Sequence, residues 1–367
     1  MIASPLLDHC PESLDRKAYV SPDWFAREQA TVWARNWVML GRVADLSKGR
    51  MRAVRVAGAP VLIARDADGV VTAFHNVCRH RGAELCKGER EMGRLITCPY
   101  HAWAYGTDGR LFSVAHATPT QDFFKEQNGL LPVPHLVWQG FLFVNLSGAG
   151  PLRPDVGVDA LDSWPMDSLV KGHRHERRLD CNWKVFWENY SECLHCPGIH
   201  PELCDLVPVY AKGIMALEDV SEPSESGTRL RAGARTWTAS GAPCGPVFDG
   251  LSERQRRAGA NFATIWPTGY VVAHVDYVRA VWLEPLGPTQ TRLVAEWYFA
   301  PETLSRPCFS AAEVASFASL VLDQDGDAAE MNQRGLASPA FKRGRLMPQE
   351  YEIHRFHQWV LTQMEDQ

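Results

Sequence analysis

The sequence carries no strong excess of either charge: 38 Lys and Arg stand against 43 Asp and Glu, a formal net charge of -5. With no basic excess and arginines scattered rather than striped, nucleic acid is excluded as a partner. No apolar run reaches the ~18 residues of a membrane span. The start, MIASPLLDHCPESLDRK, has neither a basic beginning nor a long apolar centre, so a cytoplasmic protein with no membrane attachment is expected. Ten cysteines in 367 residues are too sparse for a disulfide scaffold, which leaves metal ligation or plain burial to explain them. There is no internal repeat and no G-x-G-x-x-G after a strand, so the chain lacks a dinucleotide site of its own.

What is present describes a packed, enzyme-like body. Apolar residues make up 46% and charged residues 22%, and the length suggests about two domains. Residues 1–36 read as helix-rich, with Ser21 and Pro22 as N-cap and first-turn pair. Residues 37–147 change to short β runs with Asp-Gly turns after Ala67 and Thr107, a small antiparallel β domain. A Pro/Gly/Asp-rich linker then opens a third segment, 148–367. There DCNWKVFWENYSECLHC places Trp183, Phe186, Trp187 and Tyr190 at helical spacing, mostly as core. TGYVVAHVDYVRAVWLEP and TRLVAEWYFAP read as two strands joined across LGPTQ, the second burying Leu293, Ala295, Trp297 and Phe299 on one face. Ser310 with Glu313 opens a last long helix, interrupted near Gly326 and stopped at Gly335. The fold class is α+β.

Two loops carry the first chemistry. Cys78-x-His80 is followed, 17 residues after His80, by Cys98-x2-His101. Zinc sites pair cysteine with cysteine in one knuckle, whereas here each loop is mixed. If each loop gives its cysteine to one iron and its histidine to another, the product is a two-iron, two-sulfide centre with two thiolates on one metal and two imidazoles on the other. Neutral imidazoles leave less negative charge on the cluster and raise its potential, which suits an electron relay. Gly82 gives the first loop a tight turn and Pro99 stiffens the second.

CRHRG and CPYHAWAY resemble the cluster-binding loops of Rieske proteins, and of Rieske oxygenases in particular. The respiratory branch of that family has an extra, disulfide-bonded cysteine in each loop. This chain has Ala83 and Tyr100 in those stretches, and Cys86 reads as a small buried residue.

A relay needs a destination. His195 and His200 lie five apart and would diverge on a straight helix, but Pro197 and Gly198 between them allow a kink that turns both imidazoles to one point. Glu192, one turn before His195, is placed to hydrogen-bond its imidazole. Asp323, Asp325 and Asp327 compete for a third ligand position. The rival is zinc on Cys193 and Cys196 with Cys181 or Cys204, against which simple burial of all four thiols is expected.

The resemblance to Rieske oxygenases implies more. It selects Asp325, eight residues before Gln333 of a QRGL ending, with Asp327 second, to join His195 and His200 on a mononuclear ferrous iron. It implies a catalytic domain with a central antiparallel sheet flanked by helices, of the helix-grip or START-like kind. It assigns Glu192 the bridge between the cluster histidine of one subunit, His101 or His80, and the iron of the next, hence a homotrimer. Electrons would come from NADH through a separate flavin/iron-sulfur reductase, with dioxygen as oxidant.

NYSECLHCPGIHPELC, the DYV strand and EYEIHRFHQWV are similar to the branch containing glycine betaine, choline and carnitine monooxygenases. That likeness implies oxidative N-demethylation of a small quaternary ammonium compound. Glu192 stands where ring-dihydroxylating members usually carry aspartate. Hydroxylation or O-demethylation of an aromatic acid is the alternative, and an electron carrier without oxygenase activity the alternative of another class. Trp237, Trp266, Tyr270, Tyr277 and Trp282 offer aromatic faces for a cation, though most are expected to be sheet core.

Overall fold

The computed structural model describes residues 6–148, 150–156, 161–215 and 230–365. It divides into two compact units, one formed by Gln29–Leu152 and the other by Met1–Glu28 with Arg153–Gln367.

The Gln29–Leu152 unit is built from ten short strands, β1 Val38–Arg42, β2 Arg50–Val56, β3 Ala59–Arg65, β4 Val71–His75, β5 Glu89–Glu91, β6 Ile96–Thr97, β7 Ala104–Tyr105, β8 Leu111–Ser113, β9 His135–Trp138 and β10 Phe141–Val144. They form antiparallel sheets ordered β4-β3-β2-β5, β1-β10-β9 and β6-β7-β8. The β2–β3 hairpin turns at Ala57 and Gly58, both with positive φ, one step before the Gly-Ala-Pro turn the sequence suggested. Met51, Leu62, Phe74, Leu85, Ile96 and Tyr105 form its core, which also takes in Cys78, Cys86 and Cys98.

The other unit holds β11 Asp155–Val156, β12 Val170–Leu179, β13 Ala260–Ile265, β14 Gly269–His274, β15 Tyr277–Gly287 and β16 Gln290–Phe299 in one sheet, ordered β11-β13-β14-β15-β16-β12. Every neighbouring pair is antiparallel. Its helices are α1 Lys17–Val20, α2 Pro22–Glu28, α3 Trp183–Tyr190, α4 Cys196–Ile199, α5 Pro201–Leu206, α6 Glu253–Ala258, α7 Pro301–Leu304, α8 Ala311–Leu336 and α9 Tyr351–Glu365. The chain is thus α+β, with a helix-flanked antiparallel sheet in one unit and small antiparallel β-sheets in the other. No described helix is long and apolar enough to cross a membrane.

Three sequence expectations need correction. The TGYVVAHVDYVRAVWLEP run is two strands, because Val275 and Asp276 turn between β14 and β15. Asp276 holds that turn with no glycine, since its carboxylate accepts from Thr236 Oγ1 at 2.6 Å and from the Cys244 amide at 2.6 Å. β16 is buried on both faces from Leu293 to Phe299, not one, because the sheet lies inside the unit. Finally, α8 runs unbroken through Gly326. A Cβ on Gly326 would lie 2.8 Å from the Arg177 guanidinium and 2.9 Å from Leu179, so the glycine lets α8 approach β12 rather than ending the helix.

Candidate functional sites

The loops of Cys78 and His80 and of Cys98 and His101 share one backbone design. The Cys78 amide donates to Ala83 O and the Cys98 amide to Trp103 O, both at 2.8 Å, while Gly82 N closes on Cys78 O and Ala102 N on Cys98 O. Closing so tight a turn needs positive φ at the last position. Gly82 has φ 80°, and in the second loop the strained position falls on Ala102, φ 53°, not on Pro99. Replacing Ala102 with glycine should therefore stabilise the second loop by roughly 0.5–1 kcal/mol, read as a raised unfolding midpoint of the cluster-loaded protein; a lowered midpoint would contradict the strain.

Both thiols are buried, whereas His80 is exposed and His101 half-exposed. The two imidazole rings lie 4.7 Å apart, and His80 stacks on Trp103 at 4.8 Å. Burial pushes the Cys98 thiol up, opposed by the backbone amides of Tyr100 and His101 that point at its sulfur. Tyr105 Oη lies 3.2 Å from Cys78 Sγ and accepts from the Arg79 amide. Two inward thiols with amide and hydroxyl donors, and two outward imidazoles, fit a cluster with one sulfur-held and one nitrogen-held iron. Asn76, unassigned from sequence, clamps the loop's far end: its Oδ1 accepts from Leu85 N and Cys86 N, and its Nδ2 donates to Cys86 O at 2.8 Å.

In the other unit, α3 starts at the Asn182 N-cap, whose side chain accepts from Lys184 N, and ends at Tyr190. Residues 191–195 then form a loop leading into the short turn α4. Pro197 sits in the first turn of α4, where no amide hydrogen bond is needed, so it breaks nothing. The break falls instead at His200, φ -122° and ψ 67°, because it precedes Pro201 and is driven out of the helical region. That break turns the two imidazoles together: His195 Nε2 and His200 Nε2 are 3.2 Å apart.

Asp325 on α8 completes the cluster, its Oδ1 2.8 Å from His200 Nε2 and 3.5 Å from His195 Nε2. Among the described residues, His195, His200 and Asp325 bring one donor atom each within 4.8 Å of one another. Asp323 and Asp327 face another way, onto β12. Asp323 lies 3.1 Å from His175 Nε2, and Asp327 pairs with Arg177 at 2.6 Å. Two residues along a helix is about 200°, so only one of the three carboxylates can face the histidines.

Both imidazoles are oriented from behind. Glu192 Oε1 lies 2.5 Å from His195 Nδ1, and Gln324 Oε1 accepts from His200 Nδ1 at 2.8 Å. Each Nδ1 therefore holds a proton on the side away from Asp325, which leaves each Nε2, facing Asp325, as the atom a metal would take once any proton there is displaced. Gln324 was missed from sequence; adjacency to the aspartate was the only signal. Two neutral imidazoles and one carboxylate fit a divalent iron and leave positions open for dioxygen.

Burial lowers the His195 pKa, but Asp325 and Glu192 outweigh it and raise the group to about 9. In a metal-free preparation this pair stabilises the fold fully below ~6.5 and loses that contribution as pH rises through about 9. Uptake of a divalent metal by the triad would have the opposite dependence, since the metal must displace the proton. Ferrous iron added at pH 7 should release about one proton per chain, detectable with a pH indicator; no release would mean His195 is already neutral.

Cys193 and Cys196, flanking His195, are joined by a disulfide. The pair is thus neither a zinc knuckle nor two simply buried thiols. Cys181 is buried and free, and Cys204 is free and half-buried.

Residues 166–366 match the model of the ring hydroxylating alpha subunit (catalytic domain), and residues 36–125 that of the Rieske [2Fe-2S] domain. The chain belongs to the Rieske-type ring-hydroxylating alpha subunits. It is an oxygenase of the non-haem iron kind, whose two domains imply a [2Fe-2S] cluster and a mononuclear iron.

Its relatives include the glycine betaine monooxygenase oxygenase subunit of Pseudomonas aeruginosa, 27% identical over 391 residues, covering 96% of this chain and 89% of that protein. The choline monooxygenase, chloroplastic, of Beta vulgaris is 29% identical over 353 residues, covering 93% and 75%. In fold, the chain resembles the quaternary ammonium Rieske monooxygenase CntA bound to gamma-butyrobetaine, with TM-score 0.72 and 22% identity over 97% of this chain and 96% of that one.

Proposed function

We propose that this oxygenase removes an N-methyl group from a small quaternary ammonium compound. Cys78, His80, Cys98 and His101 would hold the cluster, and His195, His200 and Asp325 the mononuclear iron, which supplies activation of dioxygen. The balanced reaction is R–N(CH3)3+ with O2, NADH and a proton giving R–NH(CH3)2+, formaldehyde, water and NAD+. Hydroxylation breaks an N-methyl C–H bond, and the resulting carbinolamine loses formaldehyde as its C–N bond cleaves. NADH would act through a separate reductase, because the chain has no dinucleotide fingerprint of its own.

The observation that carries this reading is a group of packed aromatic rings on the sheet, of which Tyr270 lies near enough to the triad to feel the charge of Asp325. Tyr190 stacks on Tyr270 at 4.2 Å, and Trp237 meets Tyr210, Phe262 and His274 at 5.9–6.2 Å. Tyr277 stacks on His274 at 4.2 Å. Ring faces attract a quaternary cation that offers no hydrogen-bond donor. Trp266 and Trp282 are engaged elsewhere, with Phe356 and Trp359 and with Arg174.

Glu192 would carry electrons across to the iron from a neighbouring subunit's cluster in a homotrimer. Glu192→Gln keeps an acceptor for His195 Nδ1, so both metal centres should survive while turnover falls by about 10²-fold or more; unchanged coupled turnover would remove Glu192 from the relay. The function itself is tested by feeding betaines and aromatic acids with a generic reductase. Formaldehyde formed in step with oxygen uptake is expected, and oxygen uptake coupled only to aromatic acids would overturn the proposal. An electron carrier would hold about two irons per two sulfides, the oxygenase about three.

A further inference from the structure

Arg279 lies within an otherwise apolar stretch of β15 and is only 7% exposed. Its guanidinium makes no ion pair and no hydrogen bond among the described residues, and its Nε is buried without a partner. Other arginines of this sheet are matched: Arg174 with Glu296, Arg177 with Asp327 and Glu330, and Arg292 with Glu176 and Glu284. An unpaired buried cation is among the most unfavourable arrangements a fold can keep. Arg279 therefore calls for an anion that no described residue supplies.

The register gives its direction. Arg279 is opposite Val272, which alternates with Tyr270 and His274 along β14, so all four side chains share one face of the sheet. That face carries Tyr270, against which Tyr190 stacks and whose phenol feels the charge of Asp325. Trp297 lies opposite Arg279 on β16, and His173 lies opposite Trp297 on β12. His175, which reaches Asp323 on α8, is two residues farther along β12. The face is the one turned toward α8 and the iron-binding triad.

Two more orphaned donors lie on the same wall. His274 is 1% exposed, and neither ring nitrogen has a partner. Burial first, and the Arg279 charge second, hold its pKa well below the usual histidine value, so it is neutral with one N–H to give. Trp237 Nε1 is also buried without a partner, its ring 6.1 Å from that of His274.

We propose that Arg279, assisted by the His274 and Trp237 N–H groups, binds a carboxylate of the substrate. The substrate is thus a zwitterion, its anionic end on Arg279 and its methylated nitrogen toward His195, His200 and Asp325. This rests on the N-demethylation reading and narrows it, since a quaternary alcohol such as choline has no anion to offer.

The test uses holoenzyme with glycine betaine, carnitine, choline and benzoate as probes, measured by ligand-induced shift in melting temperature and by steady-state kinetics. At least one of the two betaines should raise the melting temperature while choline at equal concentration does not. Arg279→Met removes an unpaired charge, so the unliganded protein should melt no lower and keep its iron and cluster absorbance. The same variant should lose the betaine-induced shift and show KM raised about 30-fold or more, with kcat changed far less. Arg279→Lys should recover part of the affinity.

Equal handling of choline and betaine with Arg279→Met unaltered, or no shift from either betaine, overturns the carboxylate site. If formaldehyde still forms in the first case, the demethylation reading survives without it. Arg279-dependent oxidation of benzoate without formaldehyde would do the reverse, keeping the anion site and ending the demethylation reading.

Discussion

Asp325→Ala is expected to strip the mononuclear iron while leaving the cluster in place. The three candidate donors come from two distant segments, the loop carrying His195 and His200 and the middle of α8, and Asp325 is the sole anion among them. Removing a group that merely orients a ligand weakens a metal site 10–100-fold, and loss of the one charged donor should exceed that. Iron should fall from about three to about two atoms per chain at a constant two sulfides, with visible absorbance of the cluster retained. Formaldehyde formation should fall more than about 10³-fold, because no metal remains to activate oxygen. Asp327→Ala is the matched control. Arg177 keeps Glu330 at 3.3 Å, so iron should stay and stability change by less than about 1 kcal/mol. Iron lost from the Asp327 variant and kept in the Asp325 variant would reverse the assignment.

How much of this was readable in the chain depended on how local each cause was. Cys78, His80, Cys98 and His101 announce themselves because the donors of each loop are neighbours and the turn residues lie beside them. His195 and His200 are nearly as plain, though the reason they converge was misjudged: the break comes from Pro201 acting on His200, not from Pro197. Asp325 could not be separated from Asp323 and Asp327 by spacing, because the deciding partners, His175 and Arg177, lie about 150 residues upstream. Gly326 and the Val275-Asp276 turn were misread for the same reason. One glycine is explained by a strand packed on it, and one turn by hydrogen bonds to Thr236 and Cys244. Arg279 did leave a signal, a single charge inside YVRAVWL, but without the register nothing says whether it faces a carboxylate, solvent or the site.

The largest effect on stability is expected at Glu28. Its carboxylate is fully buried and accepts from Lys184 Nζ at 2.6 Å, Trp183 Nε1 at 2.9 Å and Trp24 Nε1 at 2.9 Å. Lys184 is equally buried, and its remaining acceptor is Asn182 Oδ1 at 2.7 Å. This knot fixes α2 to the start of α3, the helix that ends two residues before Glu192 and carries Glu188, which accepts from Tyr19 and faces His357 Nε2. Glu28→Ala would leave the buried Lys184 amine without its counter-ion and the buried Trp183 N–H without its acceptor. A loss of about 3–5 kcal/mol follows, or a fall in melting temperature of roughly 6–20 °C. Burial already depresses the Lys184 pKa despite the attraction of Glu28, so removing the carboxylate should drive the lysine toward its neutral form rather than leave it charged. The double variant Glu28→Met with Lys184→Met should recover most of the loss, since an apolar pair avoids the desolvation that an ion pair must offset. If the two single variants instead sum to the double, the groups are not coupled, and the N-terminal segment is held by its apolar contacts alone.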